Sequence, residues 1–538
     1  MTDQIAHEPQ PPFPRKRLVV LVPGIGGDSR WWQPLIERVE KEPPFSLARV
    51  TWLRFDHRTR WYSMGRLDSL GKRLNALVAA EWLRSGGYDE ILLIGHSMGG
   101  LVVRHAYLLA AGGVADVAAS AWSARVSRIV LMASLNRGVD LRTASVPQRL
   151  MAWLARVVPF SPHFTAIDIL RGSDFLTNLR IDWIRHFRAP APASNMPSVI
   201  QVLGTSDGLV SADDSKDILA FPDGHYLEVP EANHKGVYRL DLTEDPELRY
   251  SVLRHALLGD FASKAAPPPD PVRRVVFLLH GIRASNVDGW VDGLEQRIKA
   301  REGERVVVRN PTYGYFSAAR FALPSVRRKN IRVFQDWYTE ELARHPAAEF
   351  DIIAHSNGTY ILGHSLLRTP GMRFTNVALA GSVLPQDFLQ RFRNLGRQVG
   401  RIRNDRANRD WPVALLCNAL NGIRMKDVGT AGFAGFLGEM TDEVAYHAGG
   451  HGEALKEERL DMLAAFALGD DPAKPTGLTT PGYYRQLSNS MPYLAKLVVL
   501  GVVAGAGWFV FAGGQFHAER ALWSLLGFAA VYTVLDII

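Results

Sequence analysis

The chain has 538 residues, of which 47% are hydrophobic and 22% charged, and its formal net charge is +8. This composition excludes a disordered or collagen-like protein, and the length allows more than one domain. The basic residues are scattered, so nucleic acid is not an expected partner, whereas anionic lipid headgroups are compatible with the charge. The single cysteine, Cys417, excludes an intrachain disulfide and a cysteine-based metal site.

The chain opens on a polar, proline-rich segment at residues 1–15, which we expect to be disordered. The apolar run after it is too short for a signal peptide, so the folded part is expected in the cytoplasm. Two segments of similar organisation follow, at residues 16–263 and 273–472, with a proline-rich linker at 264–272 between them. Their parallel order of motifs suggests duplication.

Apolar, β-branched runs alternate with helix-like stretches in both segments. In the first segment the runs include RVTWLRF, RIVLMA and SVIQVL, which are apolar on both faces. Strands of this kind, separated by helices, are typical of a parallel sheet covered on both sides. The sequence therefore predicts two doubly wound α/β domains with mostly parallel sheets.

A serine turn with small neighbours lies in the middle of the first segment. Gly95-His96-Ser97-Met98-Gly99 follows the apolar strand ILLI and precedes a predicted helix that begins near Met98. A serine at such a strand-to-helix turn needs glycines beside it, because the strained backbone brings those positions against the sheet. Ser97 is therefore the predicted nucleophile.

A nucleophilic serine needs a base and an acid, which follow in the order Ser, Asp, His. Asp207 follows the strand SVIQVL and His234 follows the strand-like HYLEVP, so both lie at the carboxyl ends of strands. An oxyanion would be held by the backbone N–H groups of Met98 and of Ile25, which lies in the turn PGIGG.

Five blocks of the first segment resemble lipases and esterases of the α/β-hydrolase superfamily, closest to the lecithin–cholesterol acyltransferase-like group. They are PGIGG, GHSMGG, SLNRG (Ser134 to Gly138), GSDFLTNLR (Gly172 to Arg180) and TSDGLV. The resemblance covers most of residues 16–260 and implies acyl-ester substrates, often lipids. It also implies a helical cap at about 139–193, where QRLMAWLARVVPF has helical periodicity; an ordinary packing helix is the alternative.

The second segment carries a corresponding set of residues. Ser356 follows the strand FDII in the string AHSNG, with alanine in place of the first glycine. The base is His451, since nearby His447 is expected in a strand. The acid is Asp410, with Asp427 as the alternative.

The backbone N–H groups of Ile282 and Asn357 would form the second oxyanion site. This segment also resembles an α/β hydrolase over roughly residues 272–470. It is either a second hydrolase or an inactive scaffold.

The C-terminal tail is apolar. After a linker at 473–492, residues 493–512 contain only Lys496 as a charge, and residues 521–538 contain only Asp536. These two runs predict a transmembrane helical hairpin at 493–538 that anchors the protein on the cytoplasmic face of a membrane. A buried helical hairpin is the alternative.

The sequence as a whole predicts a membrane-anchored serine hydrolase that cleaves acyl esters, most simply lipids. No metal or organic cofactor is expected. An acyltransferase with the same three residues, a thioesterase and a peptidase are the alternative activities.

Overall fold

The computed structural model describes residues 14–60, 63–114, 116–139, 165–188, 196–221, 224–261, 270–281, 289–311, 321, 324–392, 395–423, 425–438, 442–471, 479–511, 518–524 and 527. The chain divides into two units, Met1–Pro268 and Pro269–Ile538. The division falls within the linker predicted at 264–272, of which residues 264–269 lie outside the described residues.

Six parallel strands form the sheet of unit 1, in the order β2-β1-β3-β4-β5-β6. The strands are β1 (Lys16–Val22), β2 (Arg49–Arg54), β3 (Glu90–His96), β4 (Val126–Met132), β5 (Ser198–Gly204) and β6 (Gly224–Val229). The helices are α1 (Gln33–Val39), α2 (Pro43–Ser46), α3 (Leu67–Ser85), α4 (Met98–Ala110), α5 (Thr165–Asp168), α6 (Asp174–Phe187), α7 (Ala212–Lys216) and α8 (Pro246–Leu258).

Local sequence accounts for the limits of several of these helices. Helix α3 ends at Ser85, where Gly86 adopts the left-handed conformation that favours glycine. Helix α8 begins with Pro246, which lacks the N–H that would otherwise be unpaired there, and Asp245 accepts a hydrogen bond from Leu248 N. The three central strands β1, β3 and β4 are almost wholly buried, as the apolar runs predicted.

The predicted cap at about 139–193 is described only at Val139 and residues 165–188. These include α5 and α6, and α6 buries one face that carries Leu176, Leu179 and Trp183. The string QRLMAWLARVVPF lies outside the described residues, so its role as a lid stays a prediction.

Six parallel strands also form the sheet of unit 2, in the order β12-β11-β10-β9-β7-β8. The strands are β7 (Arg274–Leu279), β8 (Val306–Arg309), β9 (Glu349–His355), β10 (Phe374–Ala380), β11 (Val399–Ala407) and β12 (Asp442–His447). The helices are α9 (Gly289–Glu302), α10 (Pro324–Arg344), α11 (Asn357–Arg368), α12 (Leu395–Gln398), a π-helix (Pro412–Cys417), α13 (Asn418–Gly422), α14 (Ala431–Ala434), α15 (Glu457–Ala467) and α16 (Tyr483–Val510).

The two sheets have the same connectivity. Read from the opposite edge, the order of unit 2 becomes β8-β7-β9-β10-β11-β12, which matches that of unit 1 strand for strand. In both, the chain runs outward from the first strand and then returns past it, so the sheet has a switch point beside the third strand. The serine turns follow those third strands, β3 and β9, and therefore lie where open α/β sheets build their sites.

The tail differs from the prediction in where its helix begins. Helix α16 starts at Tyr483, within the stretch predicted as a linker at 473–492, and Pro492 lies inside it. A proline in an apolar stretch predicts a boundary because it removes one backbone hydrogen bond. Here Ser488 is buried against unit 2, and that packing keeps the segment helical.

The second predicted span is only partly described. Residues 518–524 are helical, whereas residues 525–526 and 528–538 lie outside the described residues. Within the described part of the chain, α16 is the one helix long and apolar enough to cross a membrane.

Candidate active site

Ser97 occupies a strained turn between β3 and α4. Its backbone has φ 52° and ψ −124°, a region that residues with a side chain rarely adopt and that costs about 1–3 kcal/mol. The turn is possible because the residues two positions before and after the serine, Gly95 and Gly99, have no Cβ. A Cβ atom on Gly99 would lie 2.2 Å from the carbonyl oxygen of Val22. The strain is the physical reason for the glycine pattern seen in the sequence.

His234 bridges Ser97 and Asp207. Its Nε2 atom lies 2.9 Å from Ser97 Oγ, and its Nδ1 atom lies 2.9 Å from Asp207 Oδ2. Because a carboxylate can only accept, Nδ1–H donates to Asp207 and Nε2 is left to accept the serine proton. The three residues, far apart in the sequence, therefore form one continuous hydrogen-bonded chain.

The carboxyl group of Asp207 is held in its charged form. Its side chain is 1% exposed, and burial alone would raise its pKa. The hydrogen bond from His234 and those from the backbone N–H groups of Leu209 and Val210, at 2.8 and 3.0 Å, instead lower the pKa below its ordinary value. Asp207 can therefore both orient the imidazole and stabilise its protonated form.

His96, the residue before the serine, supports the loop that carries His234. Its Nε2 atom lies 2.8 Å from the carbonyl oxygen of His234, so the ring donates there. Complete burial lowers the pKa of His96 to about 3, which keeps the ring neutral. His96 thus ties the base to the strand that ends in the nucleophile.

The turn PGIGG lies against Ser97. A Cβ on Gly24 would lie 2.9 Å from Ser97 Cβ, so only glycine allows this approach. Met98 is the first residue of α4, where backbone N–H groups have no acceptor within the helix. This arrangement leaves the amides predicted for the oxyanion, those of Met98 and Ile25, on two segments that meet at the serine.

The loop after β2 braces that turn. His57 Nε2 lies 2.9 Å from the carbonyl oxygen of Pro23, and His57 Nδ1 accepts from Thr59 N at 3.1 Å. The carbonyl oxygen of Thr59 in turn accepts from Gly26 N at 2.8 Å. Burial lowers the pKa of His57, so the neutral ring that these two bonds require is favoured.

A buried carboxylate holds the SLNRG loop. Asp214 accepts from the backbone N–H groups of Asn136 and Arg137, both at 2.7 Å. Arg104 donates to the Asn136 side chain at 3.1 Å and stacks over the ring of Trp183. The SLNRG loop is thus joined to helix α6 by contacts that arrange the scaffold behind the site.

Unit 2 repeats the serine turn. Ser356 has φ 54° and ψ −120°, close to the values of Ser97. Ala354 replaces the first glycine and is fully buried, so the turn accommodates a methyl group. Asn357, predicted to supply an oxyanion amide, is the first residue of α11, and Ile282 lies outside the described residues.

His451 and Asp410 form the second histidine–carboxylate pair. His451 Nδ1 lies 2.9 Å from both oxygens of Asp410, which also accepts from Val413 N at 3.0 Å. Gly381 allows this approach, since a Cβ there would lie 2.7 Å from His451 Cε1. His355 Nε2 lies 3.3 Å from the carbonyl oxygen of His451. This contact corresponds to the one between His96 and the carbonyl oxygen of His234 in unit 1.

The two sites differ at the serine. No hydrogen bond joins Ser356 Oγ to His451 among the described residues, whereas Ser97 and His234 are bonded directly. Catalytic hydrogen bonds are often long before substrate binds, so this difference does not by itself remove the base from reach.

The other acid and histidine considered for unit 2 lie in separate networks. Asp427 accepts from Tyr360 Oη at 2.6 Å and from Arg327 at 2.9 Å. His447 ends β12, as expected for a strand residue, and its Nε2 atom lies 2.8 Å from the buried Asp405. Asp410 is therefore the carboxylate that contacts His451.

Three supporting residues escaped the sequence reasoning: His57, His96 and Asp214. A signal existed for His96, because the histidine before the serine recurs as His355 in the second segment. His57 and Asp214 act through backbone groups distant in sequence, which no local pattern marks. The described residues contain no cluster of three or more potential metal-ligating side chains.

Known proteins are similar to part of the chain. No curated protein matches the chain significantly. Among solved structures, a Listeria innocua gene product is 13% identical, covering 46% of this chain and 96% of its own, with a TM-score of 0.30. A thermophilic esterase from Thermogutta terrifontis is 17% identical, covering 46% and 90%, with a TM-score of 0.29.

The phospholipase PlaB from Legionella pneumophila is 16% identical, covering 37% of this chain and 44% of its own, with a TM-score of 0.28. Residues 19–250 match the alpha/beta hydrolase family. The matched stretch is similar to that family and contains Ser97, Asp207 and His234.

Proposed function

We propose that unit 1 is a serine hydrolase that cleaves acyl esters through an acyl-enzyme on Ser97. The observation that carries the proposal is the hydrogen-bonded chain from Ser97 through His234 to Asp207, built on a strained serine turn. Such an arrangement serves acyl transfer, because serine becomes a nucleophile only when a base removes its proton. The resemblance to the lecithin–cholesterol acyltransferase-like group is part of this proposal.

The proposed reaction has two steps. Ser97 Oγ attacks the ester carbonyl while His234 Nε2 takes the serine proton, and the oxyanion is held by the N–H groups of Met98 and Ile25. The bond between the carbonyl carbon and the oxygen of the alcohol then breaks, and His234 gives the proton to that leaving oxygen. Water then attacks the acyl-enzyme with His234 again as base, releasing the carboxylic acid and restoring Ser97.

We further propose that unit 2 is a second α/β-hydrolase domain with Ser356, His451 and Asp410 in the corresponding roles. The same strand order, the same serine backbone conformation and the His451–Asp410 pair support this. The missing bond between Ser356 and His451 leads us to expect slower reaction at Ser356 than at Ser97.

The proposed substrates are lipid esters at a membrane, with the protein anchored by its tail and both units on the cytoplasmic side. Support comes from α16, whose apolar stretch has no buried residue in the structure. Arg485 lies near the start of α16 and Lys496 near the start of its apolar stretch, in agreement with the tendency of basic residues to stay inside.

Labelling with a fluorophosphonate tests these assignments. The reagent transfers its phosphonyl group to an activated serine oxygen and releases fluoride, so mass spectrometry can read Ser97 and Ser356 separately. We expect strong labelling of Ser97, weaker labelling of Ser356, and loss of each signal in the Ser97→Ala and Ser356→Ala variants.

The exposed Ser206, next to Asp207, provides a matched control: Ser206→Ala should change nothing. Full ester hydrolysis by the Ser97→Ala, Ser356→Ala double variant would reject the hydrolase proposal. Labelling of Ser356 alone would reverse the ranking of the two units.

A further inference from the structure

Exposed apolar side chains are concentrated in one part of unit 2. Before α16 in the chain, the described large hydrophobic residues of this unit that are exposed are Leu367, Trp411, Leu416, Ile423 and Leu437, at 37%, 57%, 42%, 38% and 50%. Four of these five lie between residues 411 and 437. In unit 1 the corresponding residues are spread from Leu47 to Leu248. A cluster of this kind marks an interaction surface.

Three of the clustered residues share one side of a helical segment. The π-helix Pro412–Cys417 continues into α13, Asn418–Gly422. Trp411 and Leu416 are five residues apart, the spacing of the i→i+5 hydrogen bonds of a π-helix, and Leu416 and Ile423 are seven apart, close to two turns of an α-helix. We call Trp411, Leu416 and Ile423 the outer stripe.

The inner side of the same segment is fully engaged. Val413, Ala414 and Cys417 are buried in a core cluster of unit 2. The segment is therefore apolar on both its sides, although only one of them meets the protein core. A helix that is apolar all round is expected to be buried, so the outer stripe requires a second apolar environment.

Helix α16 is joined to this segment by hydrogen bonds from side chains to backbone carbonyl oxygens. Ser488 Oγ donates to the carbonyl oxygen of Ala414 at 2.7 Å, and Asn418 Nδ2 donates to the carbonyl oxygen of Ser488 at 2.7 Å. Four residues further along α16, a Cβ on Gly422 would lie 2.5 Å from Pro492 Cα. The segment and the N-terminal part of α16 thus form one packed piece.

These contacts fix the depth of the segment relative to the proposed span, which begins at Tyr493. Gly422 touches Pro492, so Gly422 lies at the level where the span enters the hydrocarbon. Ser488 lies four residues earlier, about 6 Å along the helix axis. The headgroup layer of one leaflet is roughly 5–8 Å thick, so with α16 along the membrane normal the residues that contact Ser488 and Pro492 fall within it.

Charge and residue type agree with this depth. Tryptophan is enriched at the headgroup level, where its ring meets both apolar and polar surroundings. The exposed basic residues Arg409 and Lys426 flank the segment along the chain, and the exposed Arg485 and Lys496 lie on α16. None of the four forms an ion pair with a described residue. Such cations favour anionic headgroups.

We propose that the outer stripe of unit 2 lies in the headgroup layer of the bilayer, so that the Ser356 site receives lipid esters directly from the membrane. Trp411 follows Asp410, the carboxylate bonded to His451, which places the stripe beside the site. The proposal rests on the proposed function in one respect, the anchoring of the chain by α16.

Fluorescence quenching in vesicles tests the position of the stripe. The full-length protein, with an environment-sensitive fluorophore on Trp411→Cys or Leu416→Cys, is placed in vesicles of phosphatidylcholine and phosphatidylglycerol. Quencher lipids carry a nitroxide near the headgroup or deep in the acyl chain. Native Cys417 is buried, so unsubstituted protein reports its background labelling.

Two further labelled positions act as controls. Leu367→Cys is exposed on the last turn of α11, which runs from the serine turn back toward the opposite edge of the sheet. Val503→Cys lies within the proposed span. We expect the shallow quencher to act on positions 411 and 416, the deep quencher on 503, and neither on 367.

The outcomes separate the two proposals. Quenching at 503 without quenching at 411 and 416 would overturn the membrane contact of the stripe and leave the anchoring intact. Equal quenching at 367 and 411 would also overturn it, because the contact would then be unspecific. Absence of quenching at 503 would reject the anchoring, and the stripe proposal with it.

An activity comparison tests delivery of substrate to Ser356. In a Ser97→Ala background, we expect Leu416→Glu to slow hydrolysis of a lipid ester in vesicles about tenfold, equivalent to about 1.4 kcal/mol, without slowing a short soluble ester. Leu367→Glu should slow neither. Equal loss on both substrates, or no hydrolysis in the background variant, would overturn delivery from the membrane.

Discussion

At the scale of single residues, both serines are preceded by a buried histidine that supports the base. His96 and His355 each donate to the carbonyl oxygen of the histidine paired with the acid. Burial lowers the pKa of both rings to about 3. Each ring is therefore neutral in the folded protein over a pH range in which it would be protonated in the unfolded chain.

This difference predicts that unit 1 loses stability in acid. A histidine whose pKa falls from its ordinary 6.5 to about 3 on folding contributes stability that is complete above pH 6.5 and is lost as the pH falls toward 3. We expect the urea concentration at which Ser97 loses fluorophosphonate reactivity to fall between pH 7 and pH 4. His96→Phe should make that fall shallower.

In His96→Phe the urea midpoint should still fall with pH, but less steeply, because burial also lowers the pKa of His57 and of His105. The carbonyl oxygen of His234 loses its donor in His96→Phe, so ester hydrolysis should fall roughly ten- to a hundredfold. His355→Phe is the matched control and should leave the Ser97 profile unchanged. An unaltered slope in His96→Phe would contradict the assignment.

At the scale of elements, the turn after β11 connects the second acid to the segment that carries the outer stripe. Asp410 is buried, bonds His451, and accepts from Val413 N at the start of the π-helix. Asp427 instead joins Tyr360 on α11 to Arg327 on α10. The two carboxylates therefore have separable effects.

We expect Asp410→Asn to lower fluorophosphonate labelling of Ser356 by about a hundredfold or more, because the imidazole loses the partner that sets its tautomer. Asp427→Asn should lower the melting temperature of unit 2, since Arg327 is 3% exposed and loses its carboxylate partner. Fluorophosphonate labelling of Ser356 in folded Asp427→Asn should stay near that of the unsubstituted chain. The reverse pattern would make Asp427 the acid.

At the scale of the whole molecule, the tail has two parts with different surroundings. Ser488 and Pro492 of α16 contact the segment Pro412–Gly422, whereas Leu497, Leu500 and Trp508 are 64%, 65% and 74% exposed. Both six-stranded sheets are complete without residues of α16. The boundary between the two parts lies at the residue where the predicted span begins.

Two truncations should therefore behave differently. Deletion of residues 493–538 should give a soluble, monodisperse protein that still labels at both serines, because none of the described residues that it removes is buried. Deletion of residues 483–538 should aggregate, because it uncovers the apolar surface around Ala414 and Gly422. Gel filtration and labelling measure both effects.

Labelling of Ser97 serves as the internal control, since unit 1 has its own core and should react in either truncation. Aggregation of the shorter deletion, or a full-length chain that stays soluble without detergent, would show that the tail is a core element and would remove the membrane anchor.

The sequence by itself predicted what depends on neighbouring residues. The apolar runs became the strands, and the order of Ser97, Asp207 and His234 along the chain indicated the site before any distance was known. Both serine turns could be recognised because their strain must be relieved within a few residues, by Gly99 and Gly358. Physical causes that act over such short spans leave local patterns.

Only the tertiary structure decided the features that depend on contacts between distant segments. It distinguished Asp410 from Asp427 beside His451, left Ser356 without the bond that Ser97 makes, and extended α16 through Pro492 back to Tyr483. In each case the local pattern left an alternative open. The partner that chose between the alternatives lies tens of residues away, and a one-dimensional pattern carries no record of that distance in space.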